Sequence, residues 1–157
     1  MAIAGLVMGY LSFLMIPVFL IIAAIAIPNL LRSRIAANES SAVGSIRTIN
    51  TAQITYASTY TAVGYTCSLM DLDGGEPYTE KSAGLIDGVL ASGQRSGYRF
   101  TLSNCSGSPV EAYQVVAEPV AVGQSGVRAF CSDQTGVIRF TSDGSGATCL
   151  DSGQPLQ

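Results

Sequence analysis

The residues in this chain best suited to covalent or metal chemistry are its four cysteines, Cys67, Cys105, Cys131 and Cys149. A cysteine can serve as nucleophile, as zinc ligand or as half of a disulfide. The chain contains no histidine. His-based triads, His-ligated zinc and histidine-held haem are thereby removed. A zinc site made of cysteines alone stays formally open. Zinc and redox sites usually show close pairs, however, and no C-x-x-C occurs here. Wide spacing fits structural disulfides in a domain exported to an oxidising compartment. Three pairings are possible. Order along the chain alone favours Cys67–Cys105 and Cys131–Cys149.

The remaining polar motifs are weak. Asp71, Asp73 and Glu76 flank the Gly74-Gly75 turn and offer oxygen ligands of the kind calcium prefers. They fall far short of a twelve-residue EF-hand loop, and a solvated acidic turn is the expectation. Asp133–Gly136 and Asp143-Gly144 read as ordinary turns. Asn104-Cys105-Ser106 fits the N-x-S glycosylation pattern, but Cys105 is expected to be tied in a disulfide. Net charge is -3, which gives no reason to expect nucleic-acid binding. No catalytic residue, cofactor site or metal site is expected, and the chain reads as something other than an enzyme.

The elements that carry these residues are more informative. The 157 residues suffice for one modest domain. Only 12% are charged, against about 25% in an ordinary soluble domain. The deficit is local, because no charged residue occurs before Arg32. Residues 1–31 therefore read as a membrane span, which must be helical so that its backbone polar groups are satisfied internally. Pro17 and Pro28 should loosen or kink it. Gly5 and Gly9 form a G-x-x-x-G pair that would let a second helix approach. Thirty-one helical residues would extend about 46 Å, against about 30 Å of hydrocarbon. The excess suggests a second apolar environment, namely other copies of the same helix.

Beyond residue 31 the pattern turns amphipathic. Ile35, Ala42, Ile46, Ile49, Tyr56 and Tyr60 recur with a 3.6-residue period, and Gly44 is a soft point among them. The spacing predicts that the helix continues over residues 32–60. Residues 61–97 read as a turn-rich connection with a brief helical turn near 82–90. Strands are predicted at 98–103, 112–118, 127–131 and 137–141, separated by turn signals and forming an antiparallel meander. The apolar stripe should cover that sheet, with Ile46, Ile49, Tyr56 and Tyr60 packing under it. The predicted fold is α+β. It divides into a membrane half, residues 1–31, and an extracytoplasmic domain, residues 32–157, whose sheet and C-terminal disulfide loop occupy 98–157.

Residues 22–38, IAAIAIPNLLRSRIAAN, continued by SSAVGSIRTINTAQITYAS, resemble the type IV pilin family and its secretion-system relatives. Pro28 occupies the position of the proline within the family's N-terminal helix, and Cys131–Cys149 looks like its C-terminal disulfide loop. The resemblance implies a homo-oligomeric helical filament, or fimbrium, on a bacterial cell surface. Unassembled subunits would wait in the inner membrane for a pilus or secretion machine. The filament core would be built on the helix that carries Met1, Gly5, Gly9, Pro17 and Pro28. Adhesion, twitching motility, DNA uptake and secretion all use such subunits. The start departs from the family, whose fifth mature residue is usually Glu: here it is Gly5, and no Glu precedes Glu39. Two readings stand, one with Met1 as the processed and methylated end, the other with insertion by a different signal. Arg32 and Arg34 oppose a simple positive-inside assignment, whereas the cysteines and the resemblance place the domain outside. The alternatives are a minor pseudopilin, or a non-polymerising single-pass protein with a small extracytoplasmic domain.

Overall fold

The computed structural model describes the backbone of residues 2–156 and the side chains of residues 15, 16, 20–22 and 24–156. The expected roles of Met1, Gly5, Gly9 and Pro17 in assembly fall on side chains or residues outside that set. The elements run α1 (Ala2–Thr59), α2 (Leu69–Leu72), α3 (Gly88–Ala91), β1 (Gln94–Arg95), β2 (Tyr98–Gly107), β3 (Val110–Pro119), β4 (Ala129–Asp133), β5 (Arg139–Thr141), α4 (Gly146–Ser152) and β6 (Gln154–Pro155). The fold is α+β: one long N-terminal helix and a six-stranded sheet in the order β1-β2-β3-β4-β5-β6, with every neighbouring pair antiparallel. The chain separates into two compact units, 1–34 and 35–157.

In the first unit, large aliphatic side chains stand in the open. Leu20 is 64%, Ile27 67% and Leu30 71% exposed, a degree that water does not favour for side chains of this size. Pro28 lies within α1 and is exposed too.

The second unit has its own core. Ala42, Ile46, Ile49, Ala52 and Tyr56 are buried at helical spacing along the C-terminal half of α1. They meet Tyr98, Phe100, Tyr113, Val115, Ala117 and Phe130 from one face of the sheet. Leu69 and Leu72 of α2 and Ile86 and Leu90 around α3 join the same core. Tyr60 is half-buried against it, with its ring 4.8 Å from that of Tyr56. Ile35 is only half-buried. Alternation along the strands turns Val116 and Cys131 to the opposite face, where Cys149 of α4 and Leu150 complete a second, smaller cluster. Ile49 is fully buried between helix and sheet. Ile49→Ala should lower stability by about 2–5 kcal/mol, measured as a shift of the urea midpoint at unchanged slope.

Several boundaries differ from expectation. The helical turn near 82–90 shrinks to Gly88–Ala91, because the amides of Leu85 and Ile86 bond to the Leu72 carbonyl. Asp87 starts that helix by accepting from the Leu90 amide at 2.9 Å. β2 runs on to Gly107 through a register shift between Ser103 and Ser106, where Asn104 adopts φ 53°. β4 begins at Ala129 rather than 127, since the amides of Val127 and Arg128 are turned to a carboxylate on α1. β5 begins at Arg139 rather than 137, and the helix ends at Thr59.

Candidate functional site

The features that define this protein are an apolar helix and the fastenings that hold a sheet to the residues following it. The fastenings begin with polar side chains on the buried face of α1. Glu39 is 6% exposed and Gln53 fully buried, so each needs a partner on the sheet or loop side. The Glu39 carboxylate accepts from the Val127 amide at 3.0 Å and the Arg128 amide at 3.1 Å. It also accepts from Arg128 Nε at 2.8 Å and pairs with the other guanidinium arm at 2.7 Å. The preceding residue, Asn38, donates to the Ser125 carbonyl at 2.8 Å. Asn50 donates to Ser132 Oγ at 2.9 Å and accepts from the Tyr113 hydroxyl at 3.0 Å. Gln53 clasps Thr66 through both backbone groups, at 2.7 and 3.0 Å. Tyr56 donates to the Glu80 carbonyl at 2.7 Å. Among the described residues no buried side-chain polar atom lacks a partner.

The charge clasp has a definite electrostatic sign. Burial opposes ionisation of Glu39, but the Val127 amide, the Arg128 guanidinium and the Arg128 amide outweigh it and hold the carboxyl below its usual range. Arg128 also lies 5.4 Å from the ring centroids of Phe130 and Phe140, so it is held on its other side as well. A depressed folded pKa stabilises the fold above the ordinary carboxyl range, and that contribution is lost as pH falls below it. Acid should therefore weaken the domain from about pH 4 downward, where unpaired carboxylates take up protons. Glu39→Gln should flatten the Glu39 share of that acid loss and destabilise at neutral pH by about 1–3 kcal/mol. Urea midpoints against pH for the two proteins check both statements. Burial likewise pushes the Tyr98 phenol up, reinforced by Glu39 and opposed by Arg128. It remains a donor, to the Arg128 carbonyl at 2.8 Å. Gly126 lies directly against the Tyr98 ring, so a Cβ there would collide with it.

The sulfur pairs fasten other parts of the unit. Cys67 bonds to Cys105 and Cys131 to Cys149, each with Cα atoms 5.9 Å apart. Cys67 is exposed and Cys105 half-buried, linking the segment after α1 to β2. Cys131–Cys149 is buried and ties α4 to the far face of the sheet. Gly146 lets α4 approach closely, since a Cβ there would strike Val116, and its amide donates to Glu118 at 2.7 Å. Of the acidic turn, Asp71 accepts from Thr66 Oγ1 at 2.7 Å and so serves the Gln53–Thr66 clasp. Ile46, Ile49, Tyr56 and Tyr60 gather in one core with the sheet, whereas Asp73 is half-buried at the end of α2 and Glu76 is exposed in the turn.

Glu39, Asn38, Asn50 and Gln53 are not among the residues that composition or motif singles out. Their signal was position: 39, 46, 49, 50, 53 and 56 fall on one helical stripe, and a polar residue on an otherwise apolar stripe implies a buried partner. Comparison with known proteins found no matching family model, no matching curated protein and no matching solved structure.

Proposed function

We propose that this chain is a single-pass, membrane-anchored protein that holds a small disulfide-bonded domain outside the cytoplasm. The observation that carries this reading is the exposure of Leu20, Ile21, Ile22, Ile25, Ile27 and Leu30 on the part of α1 before Arg32, which holds no charged residue. A helix that is apolar all round requires an apolar solvent. Among the described residues, one helix is long and apolar enough to cross a membrane. Two disulfides favour an oxidising compartment for the rest of the chain. The function of such a protein is mechanical: it displays the sheet domain at a membrane surface. Fractionation of cells that make the full chain tests this. The account expects it to stay with carbonate-washed membranes and to need detergent for release; recovery in the wash would refute anchoring.

A second reading goes further and makes the chain a type IV pilin-like subunit, major or minor, that polymerises through α1. Two observations favour it. The apolar run is longer than a bilayer needs, and α1 runs without a break from that run into the residues that hold the sheet. Heterologous contacts between identical helices build filaments where their rotation does not close a ring. Electron microscopy of cell surfaces, with an antibody to this chain, separates the readings: labelled thin fibres support polymerisation, and label confined to the membrane supports the anchored monomer.

A further inference from the structure

We propose that the loop between β3 and β4, residues 120–128, is a second membrane contact, an apolar tip that dips into the lipid headgroup layer. The inference rests on the anchored reading above. Val120 is 54%, Val122 59% and Val127 40% exposed, no residue from 120 to 127 is charged, and the loop's one charge, on Arg128, is paired with Glu39. Loop tips are ordinarily built from small and polar residues, as in the Asp133–Gly136 turn at the other end of β4. Three exposed valines on one short loop call for an apolar or interfacial partner.

The loop's position selects that partner. It is fastened to the first turns of the second unit, by Asn38 to the Ser125 carbonyl and by Glu39 to the Val127 and Arg128 amides. Asn38 is four residues beyond Arg34, a separation of at most about 14 Å even if that chain were fully extended. Arginines at the end of a span snorkel to the water–lipid boundary, which puts the boundary near residues 32–34. A contact buried about 5–10 Å at the headgroup level is within reach of such a loop. The tip is also ordered. The Val120 amide bonds to the Gly97 carbonyl at 2.9 Å, and the Gly123 amide to the Gly126 carbonyl at 2.8 Å. The adjoining turn, whose Gly144 lies against Val122, carries Asp143, and that carboxylate is engaged by the Ser145 amide at 3.0 Å. The loop's own charge, Arg128, is taken up by Glu39 and the neighbouring Asp143 is an anion that anionic lipid would not attract, so apolar insertion rather than charge drives the contact.

The chain has no tryptophan, so one introduced tryptophan is an unambiguous reporter. Full-length V122W, L20W and V137W would be reconstituted separately in phosphatidylethanolamine–phosphatidylglycerol vesicles carrying nitroxide lipids. The proposal expects V122W to be blue-shifted and to lose most of its emission to a nitroxide near the headgroups, less to one at the bilayer centre, and equally so in high salt. L20W should be quenched by the deep nitroxide, and V137W, an exposed site on the far turn, by neither. Loss of L20W quenching would overturn the anchored reading itself. With L20W quenched, a V122W signal no different from V137W overturns the loop contact and leaves the anchor standing. Equal quenching of V122W and V137W, or a V122W shift that vanishes on diluting protein in lipid, overturns it in favour of a flat-lying domain or a second copy. V120W repeats the test on the second of the loop's most exposed valines.

Discussion

A chain lacking residues 1–31 is expected to leave the membrane and to run as a soluble monomer with both disulfides intact. Leu20, Ile21, Ile22, Ile25, Ile27 and Leu30 are among the large aliphatic side chains lost with that segment, each worth roughly 1.5–3 kcal/mol when moved from water to an apolar medium. These six alone favour the bilayer by on the order of 10 kcal/mol. None of the named fastenings of the second unit is touched. Ile46, Ile49 and Tyr56 keep their sheet partners, and Glu39, Asn50 and Gln53 keep theirs. Sedimentation and non-reducing mass spectrometry of the fragment check the result. A fragment that still pellets with membranes or forms fibres would place anchoring or assembly in the sheet domain.

Loss of the buried disulfide should be the larger of two covalent effects. The two loops span 38 and 18 residues. Chain entropy alone makes each bond worth roughly 3–4 kcal/mol, and the longer loop is favoured by less than about 1 kcal/mol. Burial must then decide. Cys131 is 1% and Cys149 0% exposed, and these sulfurs fill the cluster under α4. Within α4 only Gly146 and Cys149 are buried, so little else binds that helix to the sheet. Cys131→Ala with Cys149→Ala should cost about 4–5 kcal/mol and free α4, β5 and β6 locally. Cys67→Ala with Cys105→Ala should cost less, because Cys67 fills no core space. Under mild reductant the exposed Cys67 pair should open first, since exchange requires a thiolate to reach the sulfur. Urea midpoints of the two double variants, and the order of alkylation on a mass time course, test the ranking. A costlier or slower-opening Cys67–Cys105 bond would reverse it.

Apolar periodicity made the long helix and the face it buries legible in the sequence, because Ala42, Ile46, Ile49 and Tyr56 repeat at 3.6 residues. The four main strands were legible for the same kind of reason, through alternation and turn residues. The second half of β2 was not, since Ser103-Asn104-Cys105-Ser106 shows no alternation and passes through a bulge. Nor was α4: GATCLDS has no helical stripe, and what makes it a helix is Ser145 accepting from the Thr148 amide, a close approach at Gly146, and a disulfide. The clasps stayed hidden because composition does not distinguish a solvated Glu39 or Gln53 from a buried one. Their partners, Arg128 and Thr66, lie 89 and 13 residues away. The two-residue strands β1 and β6 exist only as partners for the ends of β2 and β5.

The most direct test of the central claim is the topology of the full chain in intact spheroplasts, read with a C-terminal epitope and externally added protease. The account predicts that protease removes the epitope without lysis, that the chain stays in the carbonate-washed pellet, and that its non-reduced mass shows both cysteine pairs oxidised. An epitope protected until lysis, or a chain released by carbonate, would contradict a single-span protein with its domain outside.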